Sequence, residues 1–517
     1  MVVAFALWTA VPLLVLLTGH GVFNGAYGFD VPDVMQYMAF IRDAGQHLLI
    51  SNRFDVVPDR HLFLDPVFAI SGGIWRLGAS IQAAQLLWVP VSAAALAVTF
   101  TAYTRRLLGR GTVAAAVALI LAFLYLAPAT SLSSWLHGSF TLQFGTQVVG
   151  EEMFAGAYAW SGGPAVAIAL VPVFLLACER ILDPARRPGN RSSLTYAVAG
   201  GLAGALTMWL HPWQGLTLLV IVLGLFVWDR DRRRYLGLVF PVALTLAPLA
   251  YFFALSHTHS SWMTVSRAND FSHFGSWLWV GLAPLVLVVP GLVGRGLDTQ
   301  ERILRLWPVA GLIVYLALDR TWFYHAFAGL SLPLAILAVR AGRRVSLPRV
   351  ISLALVLLVT VPGLVWVIQQ LDRTQSQRFF TPGEARALAF LDHARRPGPV
   401  LAAAMPLGQA VPAFTGRETY VGHYYWTPQY PARVALADQL FRGRLSRPQA
   451  AALVRSSRAV FLVADCRHGH PNLRALLGSL VLRSWRFGCA TVYEIAPGSF
   501  QAQTVAPSGP RLAVHTT

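Results

Sequence analysis

Long uncharged runs dominate the chain and are separated by short polar segments. Val3 to Leu17, Ala93 to Ala102, Leu216 to Trp228 and Leu353 to Ile368 contain no charged residue. A helix of ~20 mostly apolar residues crosses ~30 Å of hydrocarbon, and these runs with their flanks reach or approach that length. The pattern predicts about eleven spans, near 2–18, 82–103, 112–129, 162–179, 194–210, 213–228, 235–255, 275–294, 304–318, 322–339 and 350–370. Between the first two lies a long loop, 19–80. Within it Val31 to Ile50 reads as an amphipathic helix with Val34, Tyr37, Met38, Ile41 and Leu48 on one side. A helix of that kind lies along a membrane surface and does not cross it. Leu64 to Leu77 predicts a second, shorter helix.

After residue 370 the pattern changes. Helices are predicted over 382–394, 431–441, 448–456 and 472–480, and strands over 399–404, 418–422, 459–464 and 491–495. Such alternation favours a small α/β domain with a partly parallel sheet. The expected organisation is therefore an α-helical polytopic membrane protein with a C-terminal α/β domain outside the cytoplasm. Its sections are 1–110 (two spans and the large loop), 111–370 (the remaining bundle), 371–497 (the α/β domain) and 498–517 (a Pro-, Ser-, Ala- and Thr-rich tail of disordered composition).

Composition agrees with the membrane reading. Of 517 residues, 56% are hydrophobic and 12% charged, about half the charged share of an ordinary soluble chain. A net charge of +18 would suggest nucleic acid in a soluble protein, but its distribution excludes that. The loops after the second, fourth, sixth, eighth and tenth spans hold eighteen arginines, and the opposite loops hold six: Arg42, Arg53, Arg60, Arg76, Arg267 and Arg320. By the positive-inside rule the first set is cytoplasmic, which puts the N-terminus inside and the C-terminal domain outside. The first apolar segment has no basic n-region and no small-residue cleavage site, so it reads as an uncleaved span. The chain has no lysine and 31 prolines, a composition that fits a high-GC bacterial genome. Cys466 and Cys489 fall in the external domain, where a disulfide is chemically permitted, though spacing alone does not establish proximity.

The candidate chemistry lies at the outer ends of the spans. Gly28-Phe29-Asp30-Val31-Pro32-Asp33 enters the amphipathic helix, and Asp33 and Tyr37, one turn apart, share a face. Asp30 as an N-cap with Asp33 as its capping-box partner is the structural alternative. Glu151 and Glu152 form a second acidic pair on the same side of the membrane. His211-Pro212-Trp213 joins two spans and suits either a lipid phosphate or a helix anchor. His257, His259, Arg267, Asp270 and His273 make the most polar later loop. Asp319 and Arg320, which could pair with each other, precede Tyr324 and His325. If 322–339 is a helix, His325 points into the outer half of the bundle, where an ionisable group is costly and marks function. Signatures of soluble enzymes are missing: the sequence has no P-loop, no dinucleotide-binding glycine turn, no Cys-x-x-Cys and no His-Glu-x-x-His.

The order of these parts resembles the GT-C superfamily of membrane glycosyltransferases: a first span, an acidic pair and a tyrosine in an interfacial helix, a bundle, then an external α/β domain. It is most similar to the bacterial branch that uses polyprenyl-phosphate sugars, the mannosyl- and arabinosyltransferases. Phe29 to Tyr37 matches the acidic first loop of the family. Thr415 to His423, followed by Thr427-Pro428, resembles a segment of other members. The resemblance implies an inverting transfer, with a first-loop carboxylate as general base. That role carries to Asp33 or Asp30, with Asp33 preferred for the face it shares with Tyr37. The lipid phosphate that leaves needs cationic neighbours or a metal, for which His211, Arg267, Arg320 and His325 are candidates. Glu151 or Glu152 would orient the acceptor or bind a metal. Some relatives use a divalent metal and others do not, so the cofactor stays open. The implied partners are membrane lipid, a polyprenyl-phosphate sugar donor and a glycan, lipid or protein acceptor, with no nucleic acid. The competing readings are a lipid-linked sugar transporter or flippase, which predicts inverted repeats and interrupted helices, and a non-catalytic envelope scaffold. Convergence of the external polar residues separates the enzyme from the scaffold.

Overall fold

The computed structural model describes residues 2–28, 30–57, 59–124, 152–153, 155–183, 191–269, 288–292, 298–319, 321–469 and 472–497. The predicted span 275–294 falls mostly outside these residues, as do the end of the 112–129 span, Glu151, Asp270, His273, Arg320 and the tail beyond 497. The chain divides into two compact units, residues 1–52 with 59–380, and residues 53–58 with 381 onward.

The first unit is helical. Five of its helices are long and apolar enough to cross a membrane: Ile81–Leu108, Gly163–Ile181, Ser193–Leu210, Arg232–Thr258 and Arg349–Arg373. Val113–Leu124 and Pro212–Trp228 are shorter apolar helices. This is a multi-pass membrane architecture; the count of about eleven spans is not confirmed by the five such helices among the described residues. Of the other expected spans that lie within the described residues, each is broken, short or more polar. The first span is two helices, Val2–Thr9 and Val11–Thr18. Pro12 lacks an amide hydrogen and crowds the preceding turn, which accounts for the break at Ala10. Thr299–Ala317 forms the ninth expected span.

The tenth expected span is corrected. The chain makes a 3-10 turn over Phe323–Phe327, and the α-helix runs only from Ser331 to Arg344. Gly329 has φ +76°, and a Cβ there would lie 2.8 Å from Ile168. A left-handed residue in that tight place stops a helix from passing through. The Gln214 amide then fixes the turn by donating to the His325 carbonyl at 2.9 Å and the Ala326 carbonyl at 3.3 Å.

The long first loop is ordered. Its first helix is Val31–His47, with Val34, Met38 and Ile41 buried. It ends before the predicted limit, because Leu48 turns to φ 65° and is 59% exposed, off the buried side. The second helix is Pro66–Arg76, started by Asp65, whose carboxylate accepts from Val67 N at 2.8 Å and Phe68 N at 3.1 Å. Burial pushes the Asp65 carboxyl up to about 7 despite those two bonds. The two helices cross at Gly45 and Gly72, where a Cβ on Gly72 would meet Gly45 N at 2.4 Å. Only glycine permits that approach. The loop is tied to the bundle through Tyr251, whose hydroxyl donates to the Leu62 carbonyl at 2.6 Å and accepts from Leu64 N at 2.7 Å.

The strand into the first-loop helix is held from the far end of the unit. β1 (Val22–Phe23) pairs antiparallel with β2 (Phe379–Phe380). The buried Arg378 guanidinium donates to the Gly28 carbonyl through Nε at 2.9 Å and again through Nη2, and to the Leu371 carbonyl at 2.7 Å. Asn24, also buried, donates to the Gln377 carbonyl at 2.7 Å.

The second unit contains a four-stranded mixed sheet in the order β3-β4-β6-β5, formed by Val400–Ala402, Phe461–Ala464, Ala490–Ile495 and Val481–Phe487. β3 and β4 are parallel and the remaining pairs antiparallel. The parallel pair needs a crossover, which carries the helices Gln409–Thr415, Tyr430–Phe441 and Arg447–Ser456. The strand expected over 418–422 reduces to one bridge, Val400 with Thr419. Thr419 N bonds instead to the Arg53 carbonyl at 3.0 Å, within the 53–58 segment that joins this unit. Cys466 and Cys489 are disulfide-bonded.

Candidate functional site

The site builds outward from the start of the Val31–His47 helix. Asp30 occupies the N-cap position, but its side chain makes no cap bond to the helix. The capping-box alternative therefore fails at its first member. Asp33 lies in the first turn and Tyr37 one turn on, with its ring 5.6 Å from Phe68. Burial raises the Tyr37 phenol well above its ordinary value, and the charges of Asp33, Asp30, Glu152 and Asp65 raise it further. Tyr37 therefore stays protonated and can donate. The same ordering shows that Asp33, Asp30 and Glu152 share one electrostatic neighbourhood around this ring.

Glu152 is the centre of the second half. It is 7% exposed. Its Oε1 accepts from the Trp322 indole at 2.9 Å; its Oε2 accepts from the Tyr158 hydroxyl and lies 2.9 Å from His325 Nδ1. Tyr158 and His325 also touch each other, at 3.1 Å. Burial alone would raise the Glu152 carboxyl. The nearby His325 charge, with hydrogen bonds from His325, Tyr158 and Trp322, outweighs it and lowers the group below the usual range. A carboxylate with this many donors stays ionised.

His211 completes the cluster. Its ring is 4.9 Å from His325, 5.9 Å from Tyr158 and 5.2 Å from Trp213. It is buried, and neither ring nitrogen has a hydrogen-bond partner among the described residues. Burial first, and then the charge of His325, hold it well below the usual histidine value, so it is neutral. A buried polar ring with both nitrogens orphaned carries a free-energy penalty that a ligand could relieve.

The structure thus brings Asp30, Asp33, Tyr37 and Glu152 into one neighbourhood, and His211 and His325 into the Glu152 cluster. Arg267 is exposed in the last turn of Ser260–Ala268, and no interaction ties it to this cluster among the described residues. Glu151 and Arg320 lie outside the described residues. Four participants were not singled out from sequence: Tyr158, Trp322, Gln214 and Arg378. Trp322 stands three residues before His325, a spacing that suits one turn of helix and gives a usable signal. Tyr158 sits in an apolar stretch that reads as packing, and nothing local distinguishes Arg378 from the other arginines.

Among the described residues, which leave out Glu151, no set of ligands for a divalent cation is gathered at this site. Both Glu152 oxygens are engaged by Trp322, Tyr158 and His325. Among the described residues Asp30, Asp33 and Glu152 are not gathered closely enough to share an ion. No step through a metal follows from this geometry.

No family model and no curated protein sequence matches the chain. Solved structures do match in fold. The chain is similar to ArnT from Cupriavidus metallidurans in the apo state, with a TM-score of 0.50 and 15% identity over 96% of this chain and 99% of that one. It is similar to the Archaeoglobus fulgidus oligosaccharyltransferase complex with zinc and sulfate, with a TM-score of 0.53 and 12% identity over 92% and 69%. The arabinofuranosyltransferase AftD from Mycobacteria gives 0.51 and 16% over 96% of this chain and 40% of that one. All three are GT-C glycosyltransferases. The GT-C membrane fold expected from the sequence resemblance is borne out at that level, while the count of about eleven spans is not confirmed.

Proposed function

We propose that this GT-C fold transfers a sugar from a polyprenyl-phosphate donor to an envelope glycan, lipid or protein at the extracytoplasmic face, with inversion at the anomeric carbon. The observation that carries the reading is the buried Glu152 bonded to Trp322, Tyr158 and His325, with the His211 ring packed against His325. A scaffold has no need of ionised carboxylates beside a buried histidine with both nitrogens orphaned, since each costs folding free energy.

In the proposed reaction the acceptor hydroxyl attacks the anomeric carbon from the face opposite the phosphate. Asp33 takes the hydroxyl proton as the new C–O bond forms, and Asp30 supports it. The bond to the phosphate oxygen breaks and polyprenyl phosphate leaves with the electron pair. Tyr37 donates to the acceptor or the sugar. His325 faces the leaving phosphate, and neutral His211 donates one N–H bond to it. Glu152 orients His325 through the contact of its Oε2 with Nδ1. Arg267 and Arg320 remain candidates for binding the phosphate further out, and Glu151 for orienting the acceptor.

The arginine distribution supports a cytoplasmic N-terminus, and the Cys466–Cys489 disulfide supports an extracytoplasmic second unit, since such bonds persist in oxidising compartments. The direct test offers the purified protein in nanodiscs polyprenyl-phosphate mannose or arabinose together with an extract of envelope lipids and glycans. Transfer releases polyprenyl phosphate, and Asp33→Asn abolishes the release. Donor moved across a proteoliposome bilayer unchanged, with no release, would instead identify a transporter.

A further inference from the structure

We infer that Asp43, His47 and His61 form a structural site for a zinc-like divalent cation, separate from the site above. Asp43 and His47 are four residues apart near the end of the Val31–His47 helix, so both project from one face. His61 comes from the returning stem of the loop. The ligand atoms of all three lie within 4.8 Å of one another.

Two distances match the edges of a cation's coordination shell. A single oxygen, Asp43 Oδ1, stands 3.2 Å from His47 Nδ1 and 3.4 Å from His61 Nε2. These contacts sit at or just beyond the long end of the range of about 2.7–3.2 Å for N–H···O bonds. A tetrahedral ion with bonds of ~2.0–2.1 Å separates its ligand atoms by about 3.3 Å, and the two observed edges bracket that value. The remaining edge, between the histidines, closes by small side-chain movements. The two imidazoles are 41% and 32% exposed, while Asp43 is buried at 3%. Their rings already lie 4.1 Å apart, centroid to centroid.

The carboxylate also has outer support. Asp43 Oδ2 accepts from Ser51 N at 2.7 Å and Ser51 Oγ at 3.0 Å. Engaging the second oxygen in this way turns Oδ1 toward the two imidazoles, as ligating carboxylates in metal sites are held. Two imidazoles and one carboxylate suit zinc better than calcium or magnesium, which take all-oxygen shells. Water would complete the fourth position.

The position indicates a structural role. Asp43 is ten residues along the helix from Asp33, about 15 Å at 1.5 Å per residue. The site clamps the two stems of the loop, next to the Ile50–Phe63 bridge. Between those stems the chain leaves the first unit for residues 53–58 and returns.

The test uses full-length, untagged protein in detergent, stripped with chelator and titrated with zinc by calorimetry, with cobalt as a spectroscopic probe. The inference predicts one equivalent bound, cobalt bands of tetrahedral intensity, and a rise in melting temperature with zinc. His61→Ala and Asp43→Asn should each remove the stoichiometric binding, and Ser51→Ala should weaken it about 10-fold. His47→Cys should keep it and add a thiolate-to-cobalt charge-transfer band, which guards against a variant that merely misfolds. His257→Gln, an exposed histidine elsewhere, should change nothing. Absence of stoichiometric binding by the wild type, or binding unaffected by His61→Ala and Asp43→Asn, would overturn the inference.

Discussion

Replacing Arg378 by methionine should cripple transfer while leaving the protein folded. The guanidinium holds two carbonyls, those of Gly28 and Leu371. Truncation leaves both acceptors buried and unpaired, at ~1–3 kcal/mol each, or about 2–6 kcal/mol together. Against this, burial draws the Arg378 guanidinium down to about 10 from its usual 12.5, a cost of about 3 kcal/mol that methionine removes. The two nearly offset, so the net loss of stability should stay within about 3 kcal/mol. The effect on position is different. Gly28 lies two residues before Asp30, and a displacement of ~1 Å at a reacting group can cost ~100-fold in rate. Thermal unfolding of purified Arg378→Met should therefore shift by only a few degrees. Product formation in complemented deletion cells should fall about 100-fold, with Arg378→Lys in between because a point charge cannot bridge both carbonyls. A rate that simply follows the folded fraction would refute the positioning role.

Two further outcomes follow from the same geometry. Glu152→Gln keeps the shape but loses the charge and turns an amide N–H₂ toward donors, so transfer should fall by ~100-fold or more, whereas Tyr158→Phe, which loses one neutral bond, should cost about tenfold; equal effects in a transfer assay would contradict the central place of Glu152. In the second unit, His468 Nδ1 is 2.7 Å from Asp465 Oδ2. The bond to Asp465 raises His468 above 6.5, while hydrogen bonds from His468 and the backbone hold Asp465 below 3.8 despite burial. The histidine contribution is full below pH 6.5 and is lost as pH rises through the raised value. The aspartate contribution is present above 3.8 and is lost as pH falls through the lowered one. Stability from this pair should thus be greatest between those limits, and His468→Gln should flatten the melting temperature across pH 5–9. An unchanged pH profile in the variant would exclude the linkage.

The sequence made much of the fold legible because hydrophobic runs and their period report burial directly. The two first-loop helices, the arginine-rich loops and most helices of the second unit were read that way. Three features were not legible, each for a physical reason. The 322–339 segment has a helical pattern, but Gly329 and the long-range Gln214 bonds break it into a turn and a helix. β5 was missed because Val481–Phe487 has two arginines and no clean alternation, as expected of an edge strand whose side chains after Val481 are all partly or fully exposed. The strand at 418–422 was over-read: it makes a single bridge to Val400, and the Thr419 amide turns to the distant Arg53 carbonyl. At the site, Asp33, Tyr37, Glu152, His211 and His325 carried local signals of charge at span ends. Tyr158 and Arg378 act through contacts 167 and 350 residues away in sequence, which no local pattern encodes.

The central claim is a first-loop carboxylate that removes the acceptor proton. Envelope glycans and glycolipids should be compared by mass spectrometry in four strains at equal protein levels: wild type, a deletion, and the deletion carrying Asp33→Asn or Asp30→Asn. The account predicts that the deletion loses one sugar-bearing species, that Asp33→Asn fails to restore it, and that the missing mass names the sugar. Full restoration of that species by both variants would contradict it.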